Sequence, residues 1–261
     1  AEAERVLLND NLFRALVVQR SRAYVKASQL QQGSYAALFP RRGDPQVAHY
    51  SIKKTYGRLL SMLEDAFSQE KPLFSLAMYY PLAYYKGPDT TIDPLTAGRQ
   101  KEVVGLIRTL FLKRFESSVY AFNLSCNALL VKLLAFATKN SKTSSEFNRL
   151  DRWKAQHGDS IRHVSEQRHD FFGGDREELG EDDLITEEML EDVEELNRDE
   201  YRVEEILAET FLDMDQITEF LKELEKFKPS HDDKLHALIR LLKNDAVLKK
   251  HKVLIFSEFM A

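Results

Sequence analysis

The chain has 261 residues, 43% of them hydrophobic and 30% charged, with a formal net charge of −5. This is enough apolar material for one large or two small domains with a real core, and the scarcity of glycine and proline (10 and 7) argues against a loop-rich all-β fold. The single cysteine, Cys126, excludes an internal disulfide framework and a cysteine-built metal site, and fits a reducing, cytoplasmic setting. The charge is unevenly spread. Residues 1–150 hold 21 Lys+Arg against 12 Asp+Glu, residues 151–228 hold 10 against 26, and residues 229–261 hold 6 against 4. A basic half is thus followed by an acidic segment. No unbroken run of 18 apolar residues occurs, so no membrane span is expected. The opening AEAERVLLND lacks the pattern of a signal peptide, and both ends read as cuts in a longer protein.

Residues 4–22 are amphipathic, with Leu8, Leu12, Leu16 and Val17 on one face. Arg20 and Arg22 follow, then Pro40, Arg41 and Arg42. Residues 46–52, QVAHYSI, alternate and predict a short strand. Lys53–Ser68 predicts a helix with Tyr56, Leu59, Leu60, Leu63 and Phe67 on one side. Residues 72–85 are aromatic-rich and interrupted by Pro81. Thr96–Asn140 contains no proline, and Val119, Phe122, Cys126, Leu129, Leu133 and Phe136 recur at three or four. An unbroken helix there forms a spine on the order of 60 Å at 1.5 Å per residue. A short helix to about Gln156, holding Trp153, comes next. Residues 157–185 read as mobile. Thr186–Phe227 predicts a second long helix packed antiparallel to the spine, with Leu207, Phe211, Met214, Ile217, Leu221 and Leu224 facing inward. After a break at Lys228–Ser230, residues 231–242 predict an amphipathic helix and 252–259, KVLIFSEF, a strand.

Motif chemistry is sparse. No GxxxxGK[ST], GxGxxG, GxSxG or HExxH occurs. His157, His163 and His169 are six apart, which does not place them on one helix face. They read as exposed side chains in a mobile segment rather than as metal ligands. Cys126 reads as a buried core thiol. The acidic run Asp175–Glu200 reads as a solvated helix start, partly favoured by the helix dipole, with docking of a basic partner as its functional alternative.

Three stretches carry more. Phe13–Val25 leads to FPRR at 39–42 and a strand. Phe111–Phe122 reads FLKRFESSVYAF. Asp232–Phe259 runs from a polar start through a helix and a basic loop to an apolar strand, the way a helix feeds a buried parallel strand. This last stretch resembles the opening of the second RecA-like lobe in Swi/Snf-type superfamily 2 helicases and ATPases, which read D-K-x-x-x-L-x-x-L-L … K-V-L-I-F-S-x-F. Asp233, Lys234, Leu238, Leu241, Leu242 and residues 252–259 carry the match. The first stretch is similar to the segment after that family's first lobe. The second is similar to L-x-K-R-x-x-S-S-x-x-A-F of the bacterial and archaeal RapA-like branch, through Leu112, Lys113, Arg114, Ser117, Ser118, Ala121 and Phe122.

The resemblance implies a piece lying between two motor lobes. It would be mainly α, a long antiparallel helical hairpin or bundle with one or two short strands, the C-terminal one beginning a second RecA-like α/β lobe. Residues 1–52 would follow the first lobe, 53–228 would be a helical insertion, and 229–261 would open the second lobe. The implied function is the insertion region of a DNA-dependent ATPase, a helicase-like translocase, coupling the lobes and contacting double-stranded DNA. ATP and Mg would bind the parent's lobes. This piece, lacking phosphate-binding motifs, would hold no cofactor and would not hydrolyse ATP alone. Candidate nucleic-acid contacts are Arg20, Arg22, Arg41, Arg42, Lys113, Arg114, Ser117, Ser118 and Ser257. The rival expectation is a non-enzymatic helical protein-interaction module with an acidic arm.

Overall fold

The computed structural model describes residues 22–31, 43–67, 74–172 and 190–257. The chain divides into two units, residues 1–47 and 48–261. In the first, the described structure is one helix, α1 (Arg22–Gln31), with Val25 half-buried and Leu30 exposed. The amphipathic stretch up to residue 21 lies outside the described residues.

The second unit opens with two short helices where the pattern predicts one: α2 (Ile52–Tyr56) and α3 (Arg58–Ala66). The Ser51 hydroxyl caps α2 by accepting from the Lys54 N–H at 3.2 Å. Gly57 then adopts φ +50°, ψ −115°, a backbone state that suits glycine, and its N–H closes α2 on the Lys53 carbonyl at 2.9 Å. The aromatic stretch forms short 3₁₀ turns at Ala77–Tyr79 and Pro81–Tyr84. Leu76 precedes them in the left-handed region (φ 56°), an uncommon state for a non-glycine residue. Asp213 holds it there, accepting from the Ser75 N–H at 2.7 Å and the Leu76 N–H at 2.6 Å.

The expected continuous spine is instead two helices, α4 (Pro94–Ser117) and α5 (Val119–Asn140). Asp93 caps α4 and Pro94 occupies its first turn. Ser118 is fully extended (φ −161°, ψ 154°), and its hydroxyl accepts from the Ala121 N–H at 3.0 Å. A serine that can cap competes with continuation of the helix. Ring contacts show how sharp the break is. In one straight helix, Phe111 and Phe122 would sit roughly 16 Å apart. Their ring centroids are 4.8 Å apart, and those of Phe115 and Phe122 are 5.1 Å apart. The chain therefore doubles back at Ser118, which buries Phe111, Phe115 and Phe122 together.

Helix α6 (Ser144–Gln156) begins with a reciprocal cap. The Thr143 hydroxyl accepts from the Glu146 N–H, and Glu146 accepts from the Thr143 N–H. The region expected to be mobile is ordered at its start, as α7 (Gly158–Phe172). His157 is not exposed. It stacks on Trp153 at 4.5 Å and lies 3.4 Å from Asp215. Residues 173–189 lie outside the described residues.

The second long helix is shorter than predicted, α8 (Val203–Leu224). The described residues before it, 190–202, are largely irregular and form a strap tied to the end of α5. Asn140, fully buried, donates to the Glu194 carbonyl at 3.1 Å and accepts from the Leu196 N–H at 2.9 Å. Arg198 joins the Asn140 carbonyl (2.8 Å) to Glu146 (2.7 Å).

The core lies where α5 packs on α8. Leu130, Leu133, Leu134 and Cys126 of α5 are buried against the inward face of α8, whose Leu207, Phe211, Met214, Ile217, Leu221 and Leu224 are all buried as the spacing predicts. Phe122, near the start of α5, meets Phe220, near the end of α8. By length and mean hydropathy (1.5), α5 meets the measure of a membrane-crossing helix although it holds no unbroken apolar run of that length. Its composition is accounted for by its place at the centre of the core. A last helix, α9 (Asp233–Asn244), is capped by Asp232.

The fold is mainly α. Among the described residues there is no strand, only an isolated antiparallel bridge between Tyr85 and Tyr201. Residues 46–51 run irregularly into α2. Residues 252–257 are exposed and form no strand, and the last residues of that expected strand lie outside the described part. A lone segment has no neighbouring backbone to form a ladder with, whatever its propensity.

Candidate nucleic-acid interface at a three-way junction

Residues from all three resemblance-bearing stretches meet on one side of the second unit, where α2, the end of α4 and the start of α9 converge. The Ser51 N–H donates to Asp233 Oδ2 at 2.7 Å, and the Asp233 N–H donates to Thr55 Oγ1 at 3.1 Å. The Tyr56 hydroxyl donates to the Phe115 carbonyl, and the two rings pack with centroids 3.9 Å apart. Lys234 Nζ donates to the carbonyls of Glu116 and Ser117, both at 3.0 Å. These are the last, otherwise unpartnered carbonyls of α4, at the negative end of its dipole. The same ammonium lies 5.5 Å over the Tyr50 ring.

The electrostatics follow from these contacts. The Ser51 N–H, with Lys54 and Arg240 nearby, holds the Asp233 carboxyl below the ordinary range. Burial pushes the Tyr56 hydroxyl well up, aided by the Asp232 charge, so it stays a hydrogen-bond donor. Beside the junction, a cleft of about 270 Å³ is lined by Lys54, Arg58, Lys226 and His231. Glu223 pairs with Lys226 at 2.7 Å. Lys54 and Arg58 leave a basic surface suited to phosphate oxygens.

The predicted site residues are distributed differently. Lys113 is exposed on α4. Its neighbour Arg114 is half-buried and turned to a cavity between α4 and α5. The expected basic pair is therefore split between two faces. Ser117 and Ser118 are half-buried, the first offering its carbonyl to Lys234 and the second capping α5. Their positions are structural, at the break that sequence periodicity did not reveal. Ser257 is exposed in the irregular C-terminal segment. Arg22 starts α1 in the other unit, and Arg20, Arg41 and Arg42 lie outside the described residues. Sequence reasoning passed over Ser51, Thr55, Lys54, Arg58 and Lys226. A Ser three residues ahead of Lys54, and Asp232-Asp233 ahead of an apolar helix, are cap signatures that mark both ends of the junction.

Among the described residues, no group of three or more His, Cys, Asp or Glu side chains is placed to hold a metal ion. Burial raises the Cys126 thiol well above its ordinary range, so it is a packed apolar group rather than a nucleophile. Compared with models of known protein families, with curated proteins and with solved structures, the chain matches none.

Proposed function

We propose that this chain is the helical insertion region of a Swi/Snf-type DNA-dependent ATPase, joining the segment that leaves one RecA-like lobe to the segment that enters the next. The observation that carries this reading is the junction. Ser51, Ser117, Asp233 and Lys234 come from the three stretches that resemble the family, and they bond to one another across 117 to 182 positions of sequence. A device that transmits closure between two lobes needs its incoming and outgoing segments tied to the same rigid body. The helical core supplies that body. Phe122 meeting Phe220, and Asn140 meeting Leu196, support an antiparallel α5–α8 hairpin as its frame. In the parent, residues 252–259 would pair as the first strand of the second lobe. ATP and Mg would bind at the lobes, and the basic cleft beside the junction would face duplex DNA.

The test is fluorescence anisotropy of a labelled DNA duplex at several salt concentrations. The expected result is binding that weakens steeply with salt. Lys113→Ala, and separately Lys54→Ala with Arg58→Ala, should weaken it further, each lost phosphate contact lowering the salt slope by about 0.9. Absence of binding at low salt overturns the nucleic-acid role. It would favour a protein-docking module instead, for which the exposed Glu191, Asp192 and Glu195 of the strap are the natural contact.

A further inference from the structure

The cavity that receives Arg114 lies on a different side of α4 from Lys113 and has a construction of its own. It measures about 580 Å³, within the range of small-molecule sites. Its walls are apolar, from Ile107 and Phe111 on α4 and Val164 on α7. Its floor on α5 holds Asn127, 7% exposed.

Asn127 belongs to a polar ladder. Gln167 Oε1 accepts from Asn127 Nδ2 at 2.6 Å and from Asn123 Nδ2 at 2.9 Å, and Gln167 Nε2 meets His163 Nε2 at 2.9 Å. The ladder uses the amide nitrogen of Asn127 and leaves its carbonyl oxygen buried with no hydrogen-bond partner. Burying such an acceptor unmet is costly, because the hydrogen bond it made to water is lost without replacement. A helix face that needed only apolar packing would carry leucine at this position. At the rim, Arg114 and the exposed Lys132 supply positive charge, and the exposed Ala128 sits at the mouth.

We propose that this cavity binds an amphiphilic anion: an apolar body between α4, α5 and α7, one N–H or O–H donor for Asn127 Oδ1, and a carboxylate or similar anionic end near Arg114 and Lys132. An N-acyl amino acid has this order of groups, an alkyl chain, an amide N–H and a carboxylate. The recognition is non-covalent and is independent of any contact with nucleic acid.

The test is isothermal titration calorimetry of the chain with N-dodecanoylglycine and with tetradecanoate, both below their aggregation concentrations. The two are similar in length and charge, but only the first offers an N–H. The expected result is 1:1 binding with N-dodecanoylglycine about tenfold tighter, the equivalent of one satisfied buried acceptor. Asn127→Leu should bring the two ligands to equal affinity. Ala128→Trp should abolish binding of both by filling the mouth from an exposed position. Lys132→Glu, a surface change, should weaken both, and it keeps the proposal testable should the tryptophan variant misfold. Absence of saturable 1:1 binding, or binding indifferent to Ala128→Trp in a folded protein and to Lys132→Glu, overturns the proposal and marks any signal as detergent-like adsorption.

Discussion

Two carboxyl groups in the second unit are pulled in opposite directions by their surroundings. Burial alone would raise Glu146, but Arg198 and the N–H groups of Lys142 and Thr143 outweigh it and hold its carboxyl down to about 2. Burial dominates at Asp213 and lifts its carboxyl to about 7, against the Ser75 and Leu76 N–H groups that favour its ionised form. The consequences for stability have opposite signs. Glu146 binds its proton more weakly in the fold than in the unfolded chain, so its contribution is present above about pH 4.5 and is lost as pH falls toward 2. Asp213 binds its proton more tightly in the fold, so its contribution is present below about pH 4 and is lost as pH rises through 7. Denaturant midpoints measured from pH 2 to 8 should show Glu146→Gln removing the acid-side dependence and Asp213→Asn removing the decline between pH 4 and 7. A profile identical to the unmodified chain in both variants would contradict these assignments. The Asn140 clamp belongs to the same scale. One buried amide side chain closes the end of α5 and anchors an acidic strap that no periodicity could locate.

Elements end here at single residues with specific backbone reasons. Gly57 divides α2 from α3 through a positive φ, and an added Cβ would meet no atom within 4 Å. The cost of a side chain there is therefore conformational rather than steric. Gly57→Ala should lower stability by about 1–3 kcal/mol with an unchanged denaturant slope, as read by urea unfolding. A neutral result would mean that α2 and α3 rejoin without loss. Ser118 divides α4 from α5 through a cap instead of a strained angle. Both breaks lie inside stretches whose apolar spacing continues across them. Periodicity registers which face is apolar and is blind to a one-residue interruption that leaves the face in phase. Leu207 to Leu224 of α8 held their predicted face because no glycine or proline intervenes, and Thr210, Asp213, Asp215 and Thr218 bond elsewhere than to a following N–H.

At the scale of the whole second unit, a buried apolar core and a polar junction hold different parts. Helix α9 buries only Ala237. Its attachment rests on Asp233 to Ser51, the Asp233 N–H to Thr55, and Lys234 to the end of α4. Asp233→Ala should therefore speed backbone amide exchange across residues 233–244 while α5 and α8 keep their protection, as local opening follows sparse burial. Uniform loss of protection across all helices, measured by hydrogen–deuterium exchange, would show instead that α9 is part of the core. The proposed coupling role needs this separation, a rigid α5–α8 body with a joint that adjusts through a few polar contacts.

The mainly helical character, the inward face of α8, the buried Cys126 and the division into basic and acidic regions were all legible from residue order alone. Each depends on local spacing or composition, which survives whatever the chain does elsewhere. The sharp reversal at Ser118, the burial of His157 against Trp153 and Asp215, the split of Lys113 from Arg114, and the meeting of Ser51, Glu116 and Asp233 required the tertiary structure. These are contacts between residues far apart along the chain. Their free energy depends on which surfaces pack together, and no local pattern encodes that choice.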